Sequence, residues 1–426
     1  MTSILVRAAQ RVIRPMEQDR RGALATRCED GRVSSTGPDS RAPRFGAVLR
    51  GDEERVTPLE LFFDLVFVLA LTQCTALMAA TPTWAGLAQG LLVLGVLWWS
   101  WTGYAWLTSV VDPEEGSVRL VMFLAMAAFL ICALTVPEAF GSEALLFALA
   151  YGVVRVAHIL LFLLASRDDP GLRRATLGLA VSTAIGVGIL LAASATDGLL
   201  QGGLWALALA LDMAGGIVID PAGWRLVPGH FAERHGLIVI IALGESIVAI
   251  GTGAGHRVDA GIVLAAVLGI VVAAGLWWLY FDVVAPVSTR RLIAAAEGSE
   301  RNRMARDSFS YLHFPMVAGI GLVALGMKET LAHVSDPLRL VPTAALLGGA
   351  ALYLLAHVAF RLRNVHTLNR RRLGLALVLL ALIPALDTRP ALVPLAFLAA
   401  ALSLLIAYET RVYGEARQRV RHPDAA

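Results

Sequence analysis

Twelve apolar runs of about 20 residues constrain this chain more than any other feature, because each is long enough to cross a bilayer as a helix. They lie at roughly 58–80, 84–109, 117–137, 143–166, 172–194, 200–220, 234–254, 260–285, 307–328, 340–361, 371–387 and 390–411. Lipid offers no partner for backbone N–H and C=O groups, so such runs must be helical. The eleventh is short and contains Pro384, which predicts a tilted or broken helix there. A mean hydropathy of +0.68 and a charged share of 16% fit an all-α polytopic membrane protein, since soluble domains are nearer a quarter charged.

The basic residues set the orientation. With twelve spans, the N-terminal tail, the even-to-odd connections and the C-terminal tail share one side. Of the 36 Lys and Arg residues, 31 fall on that side and 4 on the other, and Arg155 lies inside the fourth span. The expectation is a plasma-membrane protein with both termini in the cytosol. Residues 1–55 read as a basic, disordered cytosolic tail without the long apolar segment of a signal peptide, and residues 414–426 read as a second tail.

Four pairs of segments recur in the same order. LVFVLALTQ (65–73) matches LIVIIALGE (237–245), and LLVLGVLWWSWTGY (91–104) matches GIVVAAGLWWLYFD (269–282). RVAHILLF (155–162) matches LLAHVAFR (354–361), and TLGLAV (176–181) matches RLGLAL (372–377). Six spans per half keep the same direction in both. This predicts two parallel six-helix repeats, 56–220 and 221–413, related by an axis along the membrane normal. Gln73 aligns with Glu245, so the halves place polar groups at different depths and any pathway between them is expected to be asymmetric.

Cys28, Cys74 and Cys132 form no CxxC pair, so no disulfide framework, metal site or cofactor is expected. The Arg-rich segments lack interleaved aromatics and lie between spans, which argues against nucleic-acid binding. The expected partners are the lipid bilayer and a small solute or ion, with oligomeric state left open.

Two stretches are more distinctive than the rest: VTPLELFFDLVFVLALTQ (56–73) and HFAERHGLIVIIALGESIVAIG (230–251). Together with the pairs Trp98–Trp99 and Trp277–Trp278, they resemble the bacterial low temperature requirement A family from about residue 55 to the C-terminal region. That resemblance implies a multi-pass membrane protein of a family linked by name to growth in the cold. It implies fold and location better than mechanism. A fainter likeness is to two-repeat potassium channels, whose repeats each open with Phe-Ser-Asp. Here the first half has Phe62-Phe63-Asp64, and the second has His235-Gly236 at the aligned place.

The ionisable groups within the spans are the candidate functional residues, since a charge in hydrocarbon costs several kcal/mol and needs a partner. Asp64, Arg155, His158, Asp212, Glu245, His313 and His357 fall at mid-membrane or in the cytosolic half. They predict a polar cavity that opens to the cytosol and closes near Arg155 and Glu245. Arg155 needs an anion. Glu245 has the matching depth, with Asp64 and Asp212 as rivals. Gly244 and Ser246 flank Glu245, so a helix or ligand can approach it closely, and a carboxyl withdrawn from water suits proton coupling.

At the cytosolic edge lie Glu60, His230, Glu233 and Arg234. Thr57, Pro58 and Glu60 have the spacing of a capping box with Pro at the first helical position. His230 and Glu233 are one turn apart and could face one metal, but no third ligand is evident. The tryptophans near 98–106 and 277–278 read either as an interfacial belt or as packing between repeats.

The function these observations favour is transport of a small solute or ion, with protons as a candidate coupling ion. The rival is a membrane-embedded enzyme on a lipid-like substrate, using the same acids and histidines for proton transfer. A structural role in the membrane under cold stress is the third reading.

Overall fold

The computed structural model describes residues 55–219, 221–254 and 258–412. Apart from Arg55, the two expected tails lie outside these residues. The described chain is helical and has no named strand. An isolated β-bridge joins Pro337 and Pro390.

The first half contains α1 (Pro58–Ala80), α2 (Trp84–Thr108), α3 (Gly116–Thr135), α4 (Ala144–Ala165), α5 (Pro170–Ala193) and α6 (Gly198–Val218). The second contains α7 (Pro228–Ala254), α8 (Ala260–Phe281), a short α9 (Val284–Ala294), α10 (Ser299–Ala332) and α11 (Leu340–Val365), then α12 (Arg370–Leu386) and α13 (Leu392–Val412). Eleven of these described helices are long and apolar enough to cross a membrane. The twelfth expected span is α12, whose 17 residues rise about 26 Å, a little less than a typical hydrocarbon core. Pro384 falls in its last turn and the helix continues to Leu386, so α12 is short rather than broken.

Local sequence explains where the helices begin. Thr57 accepts from the Glu60 backbone while the Glu60 carboxylate accepts from Thr57 N–H, so the expected capping box forms with Pro58 as the first helical residue. Thr83, Asp169, Asp259 and Asn369 cap α2, α5, α8 and α12 in the same manner. Helix α7 starts at Pro228, six residues before the edge read from hydropathy. This draws His230 and Arg234 into the bundle.

Helices α1, α7 and α10 pack against one another at the centre, and α2 and α11 flank them. Helix α10 is interrupted by a π-helical stretch, Ala305–Tyr311. Close packing of α10 on α11 depends on Gly319 and Gly349, since a Cβ on Gly349 would lie 2.8 Å from the Gly319 carbonyl oxygen. The outer faces of α3, α4 and α5 carry exposed Leu120, Leu124, Leu134, Leu149, Leu160, Leu177 and Val181. Apolar surface on that scale marks a lipid-facing wall.

Candidate functional site

Among the described residues, most buried ionisable groups gather in three clusters, and Glu245 stands apart. The first joins α1 to α7. Arg234 donates to Glu60 Oε1 at 3.3 Å, to Thr108 Oγ1 at 2.9 Å, and to Asp64 Oδ1. Trp101 Nε1 donates to the same Asp64 oxygen at 2.7 Å, and the Arg234 guanidinium lies 5.5 Å from the Trp101 ring centre. His230 Nε2 is 3.0 Å from Glu60 Oε1. Both acids and Arg234 are completely buried. Glu60, His230 and Arg234, read at the helix entry, lie in the first turns of their helices and are enclosed by protein there. Glu60 caps α1 and also closes a buried ion pair. Glu233 does stay at the surface, where its carboxylate accepts from Val56 N–H at 3.4 Å.

The second cluster is in the second half. Arg372 on α12 makes a two-pronged pair with Glu409 on α13 at 2.9 and 3.1 Å. Its Nη1 also lies 2.8 Å from His357 Nδ1. His313 is held by the Tyr280 hydroxyl at 2.8 Å and the Ser308 carbonyl at 2.9 Å. Neither histidine faces an open space: both are enclosed by aromatic rings, including Phe309 and Phe360 around His313 and Tyr353 beside His357. Both are buried in packed surroundings.

Glu245 stands apart from both clusters. It accepts from the Thr72 hydroxyl on α1, about 26 Å along α7 from Pro228. It does not meet Arg155. Glu245 is not among the residues that line the cavity bordered by Arg155.

The third cluster surrounds a real cavity. Arg155 lies about 16 Å from the start of α4, near mid-helix. Its Nη2 donates to Asp212 Oδ1 on α6 at 2.9 Å and to Thr183 Oγ1 on α5 at 2.6 Å. Tyr151 Oη donates to the other Asp212 oxygen at 3.3 Å. Asp212, one of the rivals, is thus the anion that Arg155 requires.

Beside this pair lies a cavity of about 60 Å³, with Arg155, His158, Thr102, Trp106, Arg306 and Ser310 among its walls. Its walls continue through Gly216 and Trp224 to Asn302, at the end of the bundle that carries the connection from α6 to α7. Trp224 and Asn302 also border an outer pocket of about 460 Å³ that includes Arg225 and Arg301. Of the seven expected cavity residues, Arg155 and His158 line this space and Asp212 supports it. Asp64, Glu245, His313 and His357 do not.

Two close approaches shape the walls. A Cβ on Gly103 would lie 2.9 Å from His158 Cε1, and one on Gly216 would lie 3.0 Å from Tyr311 Oη. The π stretch of α10 supplies Arg306 and Ser310. Trp98 Nε1 donates to the Ser310 carbonyl at 2.8 Å, and Trp106 Nε1 donates to its hydroxyl at 2.9 Å. π turns are frequent at functional sites because they leave the backbone ladder irregular. Reading the residues by span depth missed Thr102, Trp106, Arg306 and Ser310. The available signal was Thr102-Gly103 beside the tryptophan cluster, where a small residue leaves room on an otherwise bulky face.

The fold and site define a polytopic α-helical membrane protein with a cavity bordered by Arg155 and His158 near one end of its bundle. Within that class, residues 55–407 match the model described as bacterial low temperature requirement A protein, LtrA, so the chain belongs to that family. It is 32% identical over 322 residues to an uncharacterized protein of Rhizobium meliloti (strain 1021), which covers 71% of this chain and 76% of the relative. No solved structure matches it.

Proposed function

We propose that this protein is a plasma-membrane carrier for a small solute or ion, with its termini and its cavity mouth on the cytosolic side. The observation that carries this reading is the cavity that ends at the Arg155–Asp212 pair in mid-helix and leads toward a basic end of the bundle. An ion pair within a membrane span and beside a cavity marks a candidate site for binding or gating charged cargo. Basic connections mark the cytosolic side. At about 60 Å³ the space holds a handful of waters, so the cargo is small unless the helices part.

The two-repeat reading supports a carrier as well. In each half the sixth spanning helix supplies the carboxylate of a buried pair, Asp212 with Arg155 of the fourth helix and Glu409 with Arg372 of the fifth. Carriers commonly pivot one repeat against the other around a central site. The enzyme reading has less support, since no carboxylate is among the lining residues of this cavity to handle a proton.

The test is reconstitution into liposomes and measurement of solute, ion and proton flux under imposed gradients. Flux above protein-free vesicles, reduced by Gly216→Leu in a variant that still folds, is the expected result. Absence of flux under every gradient would overturn the carrier reading.

A further inference from the structure

Most acids buried in the spans have an arginine. Glu60 and Asp64 meet Arg234, Asp212 meets Arg155, and Glu409 meets Arg372. Glu245 has no such partner among the described residues. It is 2% exposed and lies about 14 Å before the last residue of α7, well inside the span. Lys328 on α10 is the cation that acts on it, through space and without an ion pair. A carboxylate withdrawn from water without a counter-ion is relieved by taking up a positive charge.

The two hydroxyls beside Glu245 select which charge. Thr72 donates to Oε2. Thr75 faces the same carboxyl, but its hydrogen goes to the Leu71 carbonyl at 3.0 Å, so its oxygen is left with lone pairs. One donor and one acceptor are what a neutral carboxyl group uses: its C=O accepts and its O–H donates. A metal ion would instead need several oxygens turned toward it, and here the Thr72 hydrogen occupies one carboxylate oxygen.

The other groups around Glu245 leave one polar approach. Helix α1 adds the Cys74 thiol. Helix α8 carries no titratable side chain before Tyr280, and α2 none before Tyr104. Helix α9, with Arg290 and Arg291, follows Phe281, which lies against Gly236 toward the opposite end of α7. On α10, however, Lys328 is followed by Glu329, which interacts with Lys328 and His333. His333 is exposed just past the last helical residue. The ends of α7 and α10 are in close contact, since a Cβ on Gly253 would lie 2.6 Å from the Lys328 carbonyl oxygen. A chain of titratable groups thus leads from that exposed end to Glu245. Such chains of acids and histidines are how membrane proteins pass protons.

We propose that Glu245 is a proton-binding site, served from the end of the bundle opposite the cavity through His333, Glu329 and Lys328. Thr72 holds the carbonyl oxygen and Thr75 accepts the bound proton. The role of coupling ion rests on the carrier reading, but proton binding is tested apart from flux.

The purified protein in nanodiscs is treated with dicyclohexylcarbodiimide, a lipid-soluble reagent that adds to protonated carboxyl groups in apolar surroundings. Modified peptides are mapped by mass spectrometry. The expected result is modification of Glu245 that falls about tenfold for each unit of pH above its midpoint. An infrared carbonyl band that shifts in D2O, fades over the same pH range and is missing from Glu245→Gln gives a reading independent of reagent access. The wild-type labelling needs no variant, so misfolding of Glu245→Gln leaves the test intact. Absence of both label and band at every pH means a permanently charged packing residue and overturns the proposal. A label constant across pH means a permanently neutral one and does the same. So does a label suppressed by sodium chloride but not by choline chloride at one pH, because sodium is then the ligand. Proton binding without flux keeps the site and removes the carrier reading. Flux without proton binding does the reverse.

Discussion

Arg155 on α4 and Asp212 on α6 meet at 2.9 Å inside the bundle, with side-chain exposures of 1% and 6%. Two oppositely charged groups withdrawn from water stabilise each other only as a pair, because each alone would keep the full desolvation penalty. Arg155 also borders the cavity, so the pair ties the packing of α4 and α6 to that space.

Removing one member should therefore cost more than removing both. Asp212→Ala leaves Arg155 without a counter-ion and should destabilise the protein by about 3–5 kcal/mol. The double variant Arg155→Met with Asp212→Leu should recover a clear part of that loss. Thermal unfolding in nanodiscs measures both. A double variant no more stable than the single one would mean that the pair is not closed in this way.

Glu60 has two roles that mutation can separate. Thr57→Ala removes only the cap and should cost about 1 kcal/mol. Glu60→Ala also takes a carboxylate from Arg234 and His230, so about 3 kcal/mol or more is expected. Equal losses in the two variants would reduce Glu60 to a helix-start residue.

Gly103 and Gly216 should be intolerant of a methyl group in activity more than in stability. A Cβ at either would come within 3.0 Å of its neighbour, the His158 ring or the Tyr311 hydroxyl. In Gly103→Ala the His158 ring, which borders the cavity, must shift. Reduced flux is expected, with a melting temperature close to that of the wild type. Unchanged flux in both alanine variants would show that the cavity is not on the path.

The two tryptophan pairs should respond differently. Trp98→Phe leaves the Ser310 carbonyl without its donor in the π turn, at a cost of about 1–3 kcal/mol. Trp277 is 43% exposed and stacks on Phe281, an arrangement phenylalanine can keep, so its change should stay within about 0.5 kcal/mol. Unfolding followed by a probe other than tryptophan emission distinguishes them.

Much of the architecture was readable before any coordinates. The twelve apolar runs mark α1–α8 and α10–α13, and the capping box at Thr57 and Glu60 forms as read. Local rules suffice there, because a helix in lipid satisfies its own backbone and its ends obey short-range geometry. The need of Arg155 for an anion was equally plain, since the cost of burying a charge depends on the residue alone.

Which anion answers that need was not legible. Depth along a helix favours Glu245, with Asp64 and Asp212 as rivals. The rotation and neighbours of α6, α7 and α1 then send Asp212 to Arg155, Asp64 to Arg234, and Glu245 to Thr72. The same packing encloses His313 and His357 and opens a space at His158. Periodicity and hydropathy record how far a residue lies along its own helix. Partner choice, and the void left where no partner arrives, depend on which helix faces stand side by side, and only the assembled bundle sets that.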